Sequence, residues 1–109
     1  MTAQDVFDRQ LAAIAAGDLD ALLAQYHPEA VVVRFDRVAS GPAEVRGLFA
    51  AYLEAKPQVD EVVSVRTSDD VIFYQARMTV GGNRVETYGT LVLRDGLIWR
   101  QTAAARPLA

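Results

Sequence analysis

The chain has 109 residues and a formal net charge of −3, and its 51% hydrophobic and 23% charged residues are typical of one packed globular domain. The absence of cysteine excludes disulfides and thiolate chemistry, and a lone histidine with scattered carboxylates lacks metal-ligand spacing, so we expect no metal and no cofactor. The net negative charge gives no electrostatic basis for binding nucleic acid. The apolar runs are too short for a membrane span, and the N-terminus has no secretory pattern, so a cytoplasmic location is expected.

The first part of the chain predicts helices. Thr2, with Asp5 three residues later, has the capping-box pattern, and apolar residues then recur at helical spacing as far as the segment AAGD. Asp18 can cap a second helix. We expect this helix to end at His27-Pro28, because the residue before a proline avoids the helical region.

The sequence after Pro28 predicts one strand, a third helix and then four further strands. Residues 31–35 are rich in β-branched side chains, and the segment SGPAEVRGLFAAYLEAKP, residues 40–57, has a proline near its first helical position and an apolar stripe. Tight-turn signals SDD, GGN and RDG then separate long runs with strand character. The predicted strands cover residues 59–67, 71–80, 84–93 and 97–105. Helices on one face of an antiparallel meander define an α+β fold.

The order of these elements, with AAGDLDALLAQYHPEAV before the first strand and DG-I in the last hairpin, resembles the nuclear transport factor 2-like superfamily. Within it the chain is most similar to the SnoaL-like polyketide cyclases and ketosteroid isomerases. The resemblance covers nearly the whole chain and implies a single SnoaL-like domain over residues 1–109. Its expected fold is a cone-shaped, curved antiparallel sheet wrapped around three N-terminal helices, a cystatin-like α+β barrel. The superfamily includes isomerases, cyclases, hydrolases and non-catalytic domains, so the fold alone does not decide the activity.

The positions that carry catalysis in the resembling isomerases hold different residues in this chain. Counting from the GD turn places Gln10 where the isomerases have a carbonyl-binding tyrosine, and Arg34 falls where they have the aspartate base. No aspartate lies near residues 85–89, where their second oxyanion donor is expected. Proton transfer between two carbons needs a carboxylate of suitable pKa and oxyanion donors. Ketosteroid isomerisation is therefore not expected.

Arg34 follows three valines on the first predicted strand. Alternation along the strand places Val32, Arg34 and Asp36 on one face, and the resemblance places that face inside the cone. An unpaired buried guanidinium is costly, so we predict that Asp36, Glu86 or an acidic ligand group lies against Arg34. The alternative is that the strand ends earlier and leaves the guanidinium in water at the rim. Arg34, Asp36 and Glu86 are also the weak candidates for a catalytic role.

Polar and aromatic side chains on the predicted cavity walls are the candidates for ligand binding. Trp99 and Gln101 are two residues apart on the last predicted strand, so their side chains are expected on the same face of the sheet. The predicted ligand-binding residues are Gln10, Arg34, Tyr52, Tyr88, Trp99 and Gln101.

Two functions of different class fit this sequence. The first is a small-molecule-binding domain with a mainly apolar cavity and an arginine anchor, which takes an apolar or weakly acidic molecule as an isomerase, cyclase, hydrolase or binder. The second is a non-catalytic homodimeric interaction domain whose cavity is plugged by its own side chains. A two-fold homodimer is expected because long strands leave an apolar outer face to cover. The outward candidates are Val62, Ile72, Tyr74, Met78 and Val92.

Overall fold

A computed structural model describes residues 2–108, which form three helices and six strands. The helices are α1 (Ala3–Ala16), α2 (Leu19–Leu23) and α3 (Gly41–Glu54). The strands are β1 (Tyr26–Arg34), β2 (Val38–Ser40), β3 (Gln58–Ser68), β4 (Val71–Val80), β5 (Asn83–Arg94) and β6 (Leu97–Pro107). They form one curved, open sheet in the order β2-β1-β6-β5-β4-β3. This confirms the predicted α+β fold.

One pairing departs from the expected antiparallel sheet. Strands β1 and β6 run parallel, whereas the other neighbouring pairs are antiparallel. A parallel pair needs a long connection, and here α3 and the four strands β2 to β5 lie between β1 and β6 in the chain. The parallel pair joins the N-terminal strand to the end of the meander, which lets α1, β1 and β6 surround the same space.

The caps of the first helix follow the sequence pattern. The Thr2 hydroxyl accepts a hydrogen bond from the Asp5 backbone N–H at 3.2 Å, and the Asp5 carboxylate accepts one from the Thr2 backbone N–H at 2.9 Å. Gly17 ends the helix with a φ of 65°, a conformation that glycine adopts without steric cost. The capping box therefore fixes where α1 begins.

The second helix is shorter than predicted. Asp18 caps it by accepting a hydrogen bond from the Ala21 N–H at 3.0 Å, but the helix ends at Leu23, and His27 and Pro28 belong to β1. The placement of His27 at a helix end was therefore wrong. The reason is tertiary: the Ile98 N–H of β6 donates to the Gln25 carbonyl at 2.8 Å, which draws this segment into the sheet.

The direction in which β4 faces is the reverse of the prediction. Ile72 and Met78, with exposed fractions of 0% and 6%, face the helices together with Tyr74, so their assignment to the outer face was wrong. Phe73, between them in sequence, is 43% exposed. Alternation identifies which residues share a face, but only packing on the helices decides which face is inside.

A β-bulge interrupts the pairing of β5 with β6. Val92 pairs with Arg100, whereas Leu93 pairs with Ile98, so Trp99 is an additional residue in β6. The insertion shifts the alternation, which explains why Ile98 and Gln101 are both buried although three positions separate them. Trp99 stacks with the guanidinium of Arg100, whose central carbon lies 3.8 Å from the ring centroid.

The helices between residues 2 and 108 all lack the combination of length and apolar character that crossing a membrane requires.

Candidate functional site

A cavity of about 380 Å³ lies between the helices and the concave face of the sheet. Its walls are mainly apolar side chains from α1, α3 and the inner face of β4. Representative wall residues are Phe7, Leu11, Ile14, Leu48, Phe49 and Met78. The turn after β1, where Phe35 is 70% exposed, forms part of the lining and marks the side that opens to solvent. The cavity therefore has an apolar interior and a polar mouth.

Three buried polar side chains form a hydrogen-bonded chain in the cavity wall. Gln10 comes from α1, Tyr26 from the start of β1 and Gln101 from the middle of β6, with exposed fractions of 5%, 8% and 6%. The Gln10 Nε2 atom donates to the Tyr26 hydroxyl at 2.8 Å, and the Tyr26 hydroxyl donates to Gln101 Oε1. A buried polar group without a partner is costly, and this arrangement pairs all three side chains.

Two further tyrosines lie at the cavity. Burial raises the pKa of Tyr74 to about 12, and the Gln101 side chain opposes that rise. Burial also raises the pKa of Tyr52, whose hydroxyl lies 3.5 Å from the sulfur of Met78. Both phenols stay protonated near neutral pH, so they present O–H groups as hydrogen-bond donors.

Arg34 and Asp36 form an ion pair at the mouth. The Arg34 Nε and Nη2 atoms each donate to one carboxylate oxygen of Asp36 at 2.9 Å, and the two side chains are 25% and 44% exposed. The hydrogen bonds from Arg34 lower the pKa of Asp36. Among the partners that we predicted for Arg34, Asp36 is the residue that the structure places against it. Arg34 is thus neither deeply buried nor free in water.

Glu86 lies on the opposite face of the sheet from the cavity. Its carboxylate accepts hydrogen bonds from Gln75 at 2.9 Å and Arg106 at 3.2 Å, and Arg77 lies 3.7 Å away. The hydrogen bond from Arg106 is the main cause that lowers the Glu86 pKa. Its neighbours Val85 and Thr87 line the cavity instead. The structure therefore does not bring Glu86 to Arg34 or to the candidate site.

The predicted ligand-binding residues divide into two groups. Gln10, Arg34, Tyr52 and Gln101 line the cavity. Tyr88 and Trp99 do not line it: Tyr88 shares the outer face of β5 with Glu86, and the bulge in β6 turns Trp99 away. Sequence reasoning missed two residues of the site, Tyr26 and Tyr74. The pattern Ile72-x-Tyr74-x-Ala76-x-Met78 carried the signal for Tyr74, because the partners in its alternation are apolar.

His27 lies outside the cavity lining. Its Nδ1 atom accepts a hydrogen bond from the Glu29 backbone N–H at 3.0 Å, and its Nε2 atom lies 3.8 Å from the Asp95 carboxylate. Within residues 2–108, no three His, Asp or Glu side chains are grouped in a way that could hold a metal ion.

The family follows from comparison with known proteins. The model of the SnoaL-like domain family matches residues 7–101, and the chain therefore belongs to the SnoaL-like domain family, within the nuclear transport factor 2-like superfamily. This confirms the resemblance seen in the sequence. No curated protein matches the chain.

Solved structures share the fold. A nuclear transport factor 2-like protein of unknown function from Cytophaga hutchinsonii is 12% identical with a TM-score of 0.85, covering 98% of this chain and 92% of that one. A candidate ketosteroid isomerase from Kribbella flavida is 14% identical with a TM-score of 0.85, covering 98% and 79%. A candidate polyketide cyclase from Sinorhizobium meliloti is 21% identical with a TM-score of 0.80, covering 94% and 99%. At these identities the likeness shows the fold alone.

Proposed function

We propose that this domain binds a small, mainly apolar molecule inside the cone. The observation that carries the proposal is the cavity of about 380 Å³, which the side chains of the chain leave unfilled. Ligand sites in proteins have volumes of roughly 300–1,000 Å³ and combine apolar walls with a few convergent polar groups. Gln10, Gln101 and Tyr74 supply such groups in the wall, and Arg34 supplies one at the mouth. The unfilled volume is evidence against a plugged cavity.

The chemistry of the lining favours binding over proton transfer. The carboxylate among the described lining residues belongs to Asp36, which is paired with Arg34 and has a lowered pKa. Both effects make it a weak base. The tyrosine O–H groups can stabilise a carbonyl or enolate oxygen. An isomerase, cyclase or hydrolase reaction in this cavity would therefore require Asp36 to leave Arg34 and act as the base.

Arg34 supports an anchor for weakly acidic ligands. The pair with Asp36 uses the Nε and Nη2 atoms, and a guanidinium has five N–H donors in all. The remaining N–H groups are available at the mouth to a carboxylate or carbonyl oxygen of the ligand, for which the planar arginine fork is suited. We propose that Arg34 binds this oxygen while the apolar part of the ligand occupies the interior.

Two naphthalene probes and three variants, one of them a control, test this function. 2-Ethylnaphthalene and 2-naphthoic acid should both bind the wild-type chain in isothermal titration calorimetry. Ala103→Phe places a large side chain into the cavity and should weaken both probes by at least about tenfold. The matched control is Thr102→Phe on the adjacent, exposed position, which should leave both affinities unchanged. Arg34→Met should weaken only the acid. Absence of binding by both probes would refute the proposed function.

A second role is suggested by the outer face of the sheet. Val71 and Phe73 of β4 are 40% and 43% exposed, and Val92 of β5 lies opposite Val71. We propose that two copies of the chain pair through this face. Light scattering should then give twice the mass of 11.9 kDa, and Phe73→Glu should shift the protein towards the single-chain mass. Phe35→Glu, which changes an exposed phenylalanine at the cavity mouth, is the control. A wild-type mass near 11.9 kDa would contradict the pairing.

A further inference from the structure

The hydrogen-bonded chain in the cavity wall has a direction. Tyr26 has one hydroxyl hydrogen, which it donates to Gln101 Oε1, while its oxygen accepts from Gln10 Nε2. The Gln101 amide therefore offers its N–H groups to the cavity that it lines. Each choice of donor and acceptor in this chain fixes the next choice.

The Gln10 end of the chain is open to the cavity as an acceptor. All side-chain nitrogen and oxygen atoms that are buried among residues 2–108 have a hydrogen-bond partner. Gln10 lines the cavity, and its recorded side-chain bond uses Nε2 alone. Its Oε1 atom is therefore not sealed in the wall but faces the open volume.

The Gln101 end is open as a donor. Gln101 lines the cavity, and its recorded side-chain bond uses Oε1 alone, so its Nε2 atom also faces the open volume. The Tyr74 hydroxyl belongs to the same cavity lining. A side chain at position 89 would approach this hydroxyl to 3.0 Å. Gly89 thus leaves the space in which the Tyr74 hydroxyl lies.

The two ends keep opposite character even when the chain reverses. If both glutamine amides rotate by half a turn, Tyr26 donates to Gln10 and accepts from Gln101. Gln10 then presents N–H groups and Gln101 presents an oxygen. In both states the wall offers one donor and one acceptor, and a ligand with two acceptors leaves one end unpaired.

We infer that the Gln10–Tyr26–Gln101 chain selects ligands that carry one hydrogen-bond acceptor and one donor on an apolar frame, such as an aromatic ketone with a hydroxyl group. The inference rests on the proposed function, because it requires a ligand in the cavity. It specifies the hydrogen-bonding groups of that ligand. Tyr26 acts as a positioning residue, since it sets the orientation of the two amides that the ligand meets.

Three naphthalenes of one shape test the inference at pH 6, where the naphthol is neutral. 6-Acetyl-2-naphthol has a donor and an acceptor, 2,6-diacetylnaphthalene has two acceptors, and 2,6-diethylnaphthalene has neither. We expect the naphthol to bind about fivefold more tightly than the diketone, the size of one hydrogen bond. Equal affinities of these two would overturn the inference and leave the proposed function intact. No binding by any of the three, the diethyl compound included, would overturn both.

Variants show whether the chain causes the preference. Tyr26→Phe removes the central hydroxyl and lets the Gln10 amide rotate freely, so the preference for the naphthol should fall to less than about twofold. Gln101→Met interrupts the same chain from the other side and should have the same effect. Tyr88→Phe, which removes a tyrosine hydroxyl on the outer face, should leave the preference unchanged. A preference that persists in both Tyr26→Phe and Gln101→Met would overturn the inference.

Discussion

Replacement of Tyr26 by phenylalanine tests the hydrogen-bonded chain through stability, without any ligand. The phenylalanine retains the ring that packs on Phe49 at a centroid distance of 4.9 Å, so the change is confined to the hydroxyl. It removes the bonds to Gln10 and Gln101. A buried hydrogen bond contributes about 0.5–1.5 kcal/mol net, so the expected loss in the free energy of unfolding is about 2 kcal/mol.

The size of this loss can be measured by calorimetry. An unfolding entropy of about 2.1 cal/mol/K per residue converts about 2 kcal/mol into a decrease of roughly 9 °C in the melting temperature of a domain of this length. Tyr88→Phe serves as the matched control, because Tyr88 lies half-buried on the outer face, and it should change stability by less than about 0.5 kcal/mol. A Tyr26→Phe variant as stable as this control would refute the reasoning, since water in the cavity would then satisfy both glutamines as well as the tyrosine does.

Three further substitutions have definite expected outcomes. Arg34→Met should lower the free energy of unfolding by at most about 1 kcal/mol at pH 7, because the ion pair is partly exposed. The folded-state pKa of Asp36 lies below its ordinary value of 3.8, so the stabilisation by the ion pair is present above pH 3.8 and should disappear as the pH falls through the folded-state pKa. If urea unfolding showed the same difference in stability between wild type and Arg34→Met at all pH values, the prediction would be contradicted. Gly89→Ala should cost at least about 2 kcal/mol in thermal unfolding, because the new Cβ would lie 2.1 Å from the Thr102 carbonyl oxygen; unchanged melting would show that the strands move apart freely. Thr2→Ala should cost about 1 kcal/mol by removing the helix cap, and undiminished stability would show that the capping box is dispensable.

Most of the secondary structure could be predicted from local patterns. The capping box at Thr2, the glycine that ends α1 and the turn signals of the meander each act within a few residues, so the sequence carries them directly. Strand β4 has its predicted bounds, and β3, β5 and β6 extend beyond theirs by one or two residues at an end. The family resemblance, which rests on the order of these same elements, was correct.

The site was only partly predictable. Gln10, Arg34, Tyr52 and Gln101 were named from the sequence and line the cavity, since the family pattern and simple alternation both apply to them. Which of them bind a ligand stays a prediction. The pairing of Arg34 with Asp36, two residues further along the chain, was one of the stated alternatives, but the sequence could not choose among them.

What the sequence by itself determined is most of the elements, their caps and the groups of residues that share a face; strand β2 was not predicted. What only the tertiary structure decided is which face turns inward, where a bulge shifts the alternation at Trp99, and that Tyr26 meets residues far away in the chain. Caps, turns and alternation depend on atoms a few residues apart. The inward face of β4 and the partners of Tyr26 depend instead on the docking of α1, β1 and β6, and Tyr26 and Gln101 are 75 residues apart, beyond the reach of any local pattern.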